Sequence, residues 1–236
     1  EFTLQARLEE MEMARLTAAM DWPRFNGLIS GEIPGATLDN GVLSVDGAIS
    51  IRVFDGQVTI GDLSVERPFG VLPSLGANVG IEQLDLAQLT ETFSFGSISG
   101  RLDGHVENLR MLDWEPVAFD AWFATPPQQS KSKGISRQAV KNLTTIGGGG
   151  ATAALSGPIM GLFDNFSYKR LGLGCRLRNN VCEISGIAED DLSVLLLEGA
   201  GIPKITIRAF NRRVDWPQLV ANLRSATGEG TIEIGQ

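Results

Sequence analysis

Few residues in this sequence have the types and spacing that catalysis requires. His105 is the only histidine, and it lies in 102–109, where polar and apolar residues alternate as in an exposed strand. No serine stands in the strand-to-helix turn of a hydrolase nucleophile. The glycine run Gly147–Gly150 lacks the Gly-Lys-Ser/Thr ending of a phosphate-binding loop. The sequence therefore predicts a protein that is not an enzyme.

Metal ligands are equally scarce. One histidine and two cysteines cannot complete a typical four-ligand zinc site. We therefore expect no metal site, and no motif predicts an organic cofactor.

Cys175 and Cys182 are the residues whose spacing does indicate chemistry. A four-residue loop of 177–180 would pair Arg176 with Val181 and Cys175 with Cys182 across a hairpin. Facing positions on antiparallel strands can meet disulfide geometry. We therefore predict a Cys175–Cys182 disulfide and, with it, an oxidising compartment. Two buried free thiols in a cytosolic protein are the alternative.

Arginine is concentrated near the predicted strand ends of the second half, at Arg170, Arg176, Arg178, Arg212 and Arg213. A guanidinium can hold a lipid phosphate with two parallel hydrogen bonds. The same residues would also suit an ordinary basic surface, so both interpretations stay open.

The net charge of −8 is unevenly distributed along the chain. Residues 1–127 contain 7 Lys/Arg against 19 Asp/Glu, a net charge of −12, and residues 128–236 contain 13 against 9, a net charge of +4. The acidic first part repels nucleic acid, so we expect no nucleic-acid partner. The basic second part could face anionic lipid headgroups or be a solvated surface.

The elements that must position these residues begin with a segment that has helical signals. Residues 3–20 contain no Gly or Pro and place Leu4, Leu8 and Met11 at helical spacing, which predicts a helix. Ser136 and Asp215 are of the type that caps helices. Three further helices are predicted over 136–146, over 151–166 and over about ten residues after Asp215.

From Gly27 to Thr125 the apolar period changes to two, which is typical of strands. The turn 54–57 contains Asp-Gly, which supplies the positive φ of a hairpin, and Gly61-Asp62 shifts the phase of the next strand. The same alternation recurs around Phe93 and Phe95 and over 117–123. Consecutive hairpins predict an antiparallel sheet.

The second half is predicted to start with an exposed linker over 126–134, which has no apolar residue. A glycine joint at Gly147–Gly150 follows. Strands are then predicted over 171–177, 181–187, 194–199 and 202–210. We therefore divide the chain into 1–125 and 126–236, as parts of one continuous module.

The apolar alternation has two possible structural meanings. In a sandwich, the apolar face packs against a second sheet, whereas on a curved open sheet it lines a groove for acyl chains. We predict a mainly β fold with peripheral helices, in which a curved antiparallel sheet forms an open apolar groove. The predicted lining residues are Leu43, Val45, Ile49, Ile51, Val53, Val58, Ile60, Phe93, Phe95, Val117, Phe119, Ile205 and Ile207.

Residues 168–187, YKRLGLGCRLRNNVCEISGI, resemble the C-terminal signature of the YdbH family of AsmA-like proteins. The stretches ISRQAVKNLTTIGGGGATAAL, AFNRRVDWPQLVANL and FGSISGRLDGHVENLRMLDWEPVAFDAWF are similar to the same family. The resemblance covers residues 93–224 and extends more weakly from residue 20. Its most specific part is the Cys-Arg-Leu-Arg-Asn…Cys element.

The resemblance implies a periplasmic segment of an envelope protein, anchored in the inner membrane near its N-terminus. The chain opens with Glu1-Phe2, without Met, and contains no apolar run long enough to span a membrane. We therefore expect a piece of a longer protein whose anchor lies outside it. The implied function is to carry phospholipid between the inner and outer membranes, with an outer-membrane-side protein as a further partner. A non-catalytic scaffold domain that docks another envelope protein is the alternative.

Overall fold

The computed structural model describes residues 2–14, 17, 27–39, 41–67, 70–127, 133–146, 152–153 and 163–226. The fold is mainly β, a single open antiparallel sheet that is not closed into a barrel. This confirms the predicted fold class, whereas the groove is not visible in the strand pairing itself.

In the described part of the chain before residue 128 there are seven strands: β1 (Phe2–Glu12), β2 (Gly27–Asp39), β3 (Val42–Val53), β4 (Gly56–Glu66), β5 (Ser74–Asp85), β6 (Arg101–Leu112) and β7 (Glu115–Ala124). The described part after that residue has eight: β8 (Lys133–Ser136), β9 (Thr152–Ala153), β10 (Asn165–Arg178), β11 (Val181–Gly186), β12 (Ala188–Glu189), β13 (Val194–Ala200), β14 (Thr206–Ala209) and β15 (Arg213–Asp215). The helices are α1 (Leu86–Thr92), α2 (Arg137–Ile146) and α3 (Trp216–Ala226).

The main path of the sheet runs β1-β2-β3-β4-β5-β6-β7-β10-β13-β14-β9. Strands β1 to β7 therefore follow one another as a meander, as consecutive hairpins predict. Strand β10 is a branch point, because β8 and β11 also pair with it. Strand β12 pairs with β13, and β15 pairs with β11.

The chain divides into two compact units. The first contains Glu1–Leu84, Leu102–Phe123 and Cys175–Asn179, and the second contains Asp85–Arg101, Ala124–Gly174 and Asn180–Gln236. The second unit has a closed aliphatic core, in which the following residues have no exposed surface: Ile135, Val194, Leu197, Ile205, Ile207 and Ala209. The expected division into 1–125 and 126–236, as parts of one continuous module, stays a prediction.

The predicted helix over 3–20 is wrong for most of its described length. Residues Phe2–Glu12 form β1, which pairs antiparallel with β2, and only Met13, Ala14 and Thr17 are helical. Phe2, Leu4, Ala6 and Leu8 also alternate with a period of two. Backbone pairing with the long neighbouring strand therefore outweighs a modest helix propensity.

The hairpin between β3 and β4 differs from the prediction in which residues adopt positive φ angles. Phe54 and Asp55 adopt the positive φ angles, 50° and 53°, and Gly56 is already paired with Val53. A Cβ at Gly56 would lie 2.6 Å from the Glu82 oxygen, so this glycine is needed for close strand approach. The predicted phase shift is confirmed by Asp62, whose φ is 52°, and by the register shift there.

The strand predicted around Phe93 and Phe95 is also wrong. Helix α1 ends at Thr92, Phe93 is its C-cap, and Phe95 lies in the following turn. The Asp85 carboxylate caps this helix by accepting from the Gln88 N–H at 3.0 Å. An Asp followed by helix formers was the signal that could have predicted it.

The predictions for the second half have mixed outcomes. The α2 cap is confirmed, because Ser136 Oγ accepts from the Ala139 N–H at 3.2 Å. The predicted helix over 151–166 is wrong at both described ends, which lie in β9 and β10. The predicted strand over 202–210 is shorter, at Thr206–Ala209. The Gly147–Gly150 joint lies outside the described residues.

Candidate functional site

One face of the first unit is formed almost entirely by aliphatic side chains. Three rows cross β2, β3, β4 and β5 in register, and we call them together the apolar face. The rows are Ile29–Ile51–Val58–Ile81, Gly31–Ile49–Ile60–Val79 and Leu38–Leu43–Val65–Leu75. Paired residues share a face, so each row is a continuous apolar line perpendicular to the strands.

The other face of the same strands is polar and small-sided. Its rows include Ser30–Ser50–Thr59–Gly80 and Thr37–Ser44–Ser64–Gly76. The register shifts at Gly61 and Ser64 keep apolar residues on the apolar side beyond the bulge, since Val65 still pairs with Leu43. The sheet of the first unit is therefore amphipathic over four strands.

The apolar side chains of β3 and β4 keep part of their surface exposed to solvent. Leu43, Ile49, Ile51, Val58 and Ile60 lie on strands with neighbours on both sides, yet each is only half-buried. Comparable aliphatic residues in the second unit's core have no exposed surface. A sheet normally buries its apolar face against another layer, so this face is available for a partner.

Two residues at one end of the apolar face are buried exceptions. Ile29 is 5 % exposed and Val53 is 7 % exposed. Gly27, which pairs with Val53, is so close to Met13 that an added Cβ would lie 3.0 Å from the Met13 side chain. This end is therefore closed by the chain itself.

The remaining predicted lining residues lie in different surroundings. Val45 is half-buried on β3 and pairs with Ala36 of β2. On β7, Phe119 is buried and Val117 is exposed. Phe93 and Phe95 belong to the turn after α1 in the second unit.

Ile205 and Ile207 are fully buried in the core of the second unit. Their surroundings differ from the prediction, because a fully buried side chain offers no surface to an acyl chain. Sequence alternation places residues on faces but does not say which faces another part of the chain will cover.

The Cys175–Cys182 disulfide is present, which confirms the predicted bond. The predicted loop is wrong, because β10 ends at Arg178 and β11 begins at Val181, leaving a two-residue turn. Both turn residues have positive φ, 51° and 59°, as in a type I′ hairpin, which favours Asn. Counting back from this turn brings residue 177 opposite Cys182, so the bond joins diagonal neighbours.

Arginine side chains that could hold a phosphate are engaged by carboxylates. Arg176 and Arg178 both bind Asp120, at 2.9 and 2.6 Å, and Arg170 binds Glu198 at 2.7 Å. Burial alone would raise the pKa of Asp120, but the two arginine hydrogen bonds outweigh it and lower that pKa. A lipid phosphate would have to displace these carboxylates, so the structure favours the surface interpretation.

Arg212 is engaged in a similar way, because it lies 3.3 Å from Glu189 and also donates to the Asp190 backbone oxygen. Arg213 lies opposite Glu183 in the backbone register of β15 and β11. His105 is exposed on β6, as predicted.

An open polar cavity of about 580 Å³ adjoins the start of α2 in the second unit. It is lined by Glu91, Ser94, Gly96, Ser97, Ser136, Arg137, Gln138 and Asp164. Arg137 forms an ion pair with Asp164 at 2.5 Å, and Ser136 Oγ also accepts from the Ser97 N–H. Four of the eight lining residues therefore bind one another in pairs, and no pattern in the sequence indicates this cavity.

Lys133 is a buried cation that the sequence analysis placed in an exposed linker. It is 6 % exposed, and its Nζ donates to the Pro126 and Lys169 carbonyl oxygens at 3.1 and 3.0 Å. The ammonium lies 6.0 Å from the Tyr168 ring centroid. Tyr168 is buried too, and its hydroxyl donates to the Ser99 oxygen at 2.6 Å. The linker prediction is therefore wrong at this end.

The described residues offer neither a metal site nor a membrane-spanning helix. No group of three or more His, Cys, Asp or Glu side chains in the described ranges is placed to hold a metal ion. None of the described helices combines the length and hydropathy that crossing a membrane requires.

The chain matches no family model, no curated protein and no solved structure.

Proposed function

We propose that this chain is a periplasmic segment of an envelope protein that carries phospholipid between the inner and outer membranes. In this proposal the acyl chains lie on the apolar face of β2–β5 and the headgroups stay in water. The chain acts as a passive carrier and catalyses no reaction. The compartment and the two membranes come from the resemblance to AsmA-like proteins.

The observation that carries the proposal is the half-buried state of the apolar face. Leu43, Ile49, Ile51, Val58 and Ile60 are half-buried, so each keeps part of its aliphatic surface exposed to solvent. Each methylene group that leaves water contributes about 0.8 kcal/mol, whether it belongs to a side chain or to a lipid. An acyl chain can therefore supply the missing layer.

The composition of the face suits a mobile ligand. The three rows contain Ile, Val, Leu and Gly, with neither an aromatic nor a charged residue. A purely aliphatic surface makes non-directional contacts, which do not hold an acyl chain in one position. The disulfide supports the periplasm, because such bonds persist in oxidising compartments.

A scaffold that docks another envelope protein is the second candidate. The observation that favours it is the closed core of the second unit, where Ile205 and Ile207 leave no room for a ligand. On this hypothesis the apolar face would be covered by a folded protein partner.

Substitution of Ile51 by Asp tests the proposal. Ile51 lies in the middle of a row, between Ile29 and Val58. On an open face the new carboxylate reaches water, so the fold should survive with a small loss of thermal stability. Acyl chains would have to desolvate the charge, so crosslinking to a photoactivatable phospholipid should fall by about tenfold or more.

Ser50→Asp is the matched control, because Ser50 is the neighbouring residue on the polar face. It introduces the same charge and should leave lipid crosslinking unchanged. A folded Ile51→Asp protein that crosslinks lipid as well as wild type would contradict the proposal. An Ile51→Asp protein that unfolds, beside a folded Ser50→Asp protein, would favour a closed apolar core.

A further inference from the structure

Three hairpin tips of the first unit are joined side by side by backbone hydrogen bonds. The Arg67 N–H, after β4, donates to the Gly41 oxygen in the β2–β3 turn at 2.8 Å. The Asp113 N–H, in the β6–β7 turn, donates to the Pro73 oxygen before β5 at 2.9 Å. We call this row of turns the tip row. It is a connected surface of the first unit.

The tip row exposes large apolar side chains. They are Leu38 (41 % exposed), Val71 (83 %), Leu72 (47 %), Leu112 (40 %) and Trp114 (61 %). Each of the three turns contributes to this set. Exposed clusters of this kind mark interaction sites more often than single exposed apolar residues do.

The tip row adjoins the apolar face. The outermost apolar row, Leu38–Leu43–Val65–Leu75, lies just inside the β2–β3 and β4–β5 turns. Leu38 belongs to both surfaces. An acyl chain on the apolar face can therefore reach the tip row without crossing a polar strip.

We infer that the tip row docks the first unit on a zwitterionic phospholipid surface, where lipid enters or leaves the apolar face. This inference rests on the proposed function, since it names the place at which the carrier meets its lipid source. Trp114 and the aliphatic tips would lie at headgroup depth, where tryptophan is enriched.

The charges beside the tip row specify the kind of surface. Acidic groups outnumber basic ones, with Asp39, Glu66, Asp113 and Glu115 against Arg67 and Arg110. A strongly anionic membrane would repel this surface, so apolar burial and not charge attraction must drive docking. A zwitterionic surface does not repel the acidic groups, and it lets apolar burial drive docking.

The size and backbone of the tip row favour a membrane over a protein partner. Stable protein interfaces involve about 20–30 residues a side, whereas the described part of the tip row offers five large exposed apolar side chains. The backbone hydrogen bonds at Gly41, Arg67, Gly70 and Pro73 satisfy polar groups that would otherwise lose water on shallow insertion.

Vesicle binding tests the inference on the whole chain. Phosphatidylcholine vesicles should shift the tryptophan fluorescence of the chain, to which Trp114 contributes with three other tryptophans, to shorter wavelength and bring the protein down with them in sedimentation. Replacing part of the phosphatidylcholine with phosphatidylglycerol should weaken binding. Val71→Asp should lower vesicle partitioning by about tenfold, because it replaces an aliphatic side chain that the membrane would bury with a charge.

Leu192→Asp is the control, because Leu192 is similarly exposed, at 78 %, but belongs to a loop of the second unit. It should bind vesicles like wild type. A wild-type chain that crosslinks monomeric phospholipid but ignores vesicles would overturn the docking inference and leave the proposed function intact. Vesicle binding that Val71→Asp abolishes, without any lipid crosslinking at the apolar face, would support docking and contradict the carrier function.

Self-association is the remaining outcome. A wild-type dimer in sedimentation that Val71→Asp dissolves, together with no vesicle binding, would overturn docking and assign the tip row to an interface between copies of this chain.

Discussion

Lys133 is a residue whose burial could not be predicted from the sequence around it. The surrounding letters, Pro-Pro-Gln-Gln-Ser-Lys-Ser-Lys-Gly, have the composition of an exposed linker. Its ammonium is nevertheless buried, because carbonyl oxygens of Pro126 and Lys169 accept its hydrogen bonds. Every residue has a backbone carbonyl that can accept a hydrogen bond, so residue types do not indicate which carbonyls will bind this ammonium.

Lys133 also makes stability depend on pH in a defined direction. Burial lowers its pKa, so the folded chain releases this proton at a lower pH than the unfolded chain. Between the folded pKa and the unfolded value of about 10.4, the unfolded state binds more protons, and stability rises with pH. The free energy of unfolding of wild type, minus that of Lys133→Met, should therefore increase from neutral pH towards that value.

Urea unfolding of both proteins over this pH range measures the difference. The substitution removes the titrating group and keeps most of the side-chain volume. A difference that stays constant, or that falls as pH rises, would contradict the burial of a titrating Lys133.

At the scale of the element, helix caps, alternation and the pairing of consecutive strands were predictable, whereas the partner of residues 2–12 was not. Ser136 and Asp215 cap α2 and α3 as their residue types indicate. Residues 2–12 carry both a helical and an alternating pattern, and the choice depends on β2, a strand that begins fifteen residues later. The loop length at residues 179–180 was misjudged, although two consecutive Asn residues suit the positive φ angles that a two-residue turn requires.

The α3 cap is the element whose contribution can be measured directly. The Gln218 N–H donates to Asp215 Oδ1 at 2.9 Å. Asp215→Ala should reduce the free energy of unfolding by about 1 kcal/mol, and Asp215→Asn, which keeps a capping oxygen, should stay near wild type. Urea denaturation measures both. Equal losses for the two variants would refute the capping role, and unchanged lipid crosslinking is expected throughout.

At the scale of the molecule, the candidate site could be predicted only in part. The alternation identified the aliphatic residues of β3 and β4 correctly as sharing a face. It also selected Ile205 and Ile207, which the second unit buries completely. The pattern of a strand is the same whether its apolar side meets other side chains or is left uncovered. Only the three-dimensional arrangement separates the two.

The two units should therefore respond differently to lipid. A ligand that binds only the folded state stabilises the part it contacts, by about 2.7 kcal/mol at a hundredfold excess over its dissociation constant. Phospholipid should slow amide hydrogen exchange in β3, β4 and β5 and leave β13 and β14 unchanged. Mass spectrometry of exchanged peptides measures this. Slower exchange confined to β13 and β14 would place the ligand in the other unit.

The meander of β1 to β7 has a consequence for how such a chain can evolve. Each of β2 to β5 pairs only with its neighbours in sequence, and Ile29 and Ile81 already share one row. Loss of β3 and β4 together would bring β2 beside β5 in opposite directions, as antiparallel pairing requires, whereas loss of one strand would demand a long crossover. Duplication or deletion of whole hairpins can therefore lengthen or shorten the apolar face in steps of two strands. The strands at its two ends, β2 and β5, need no change of sequence.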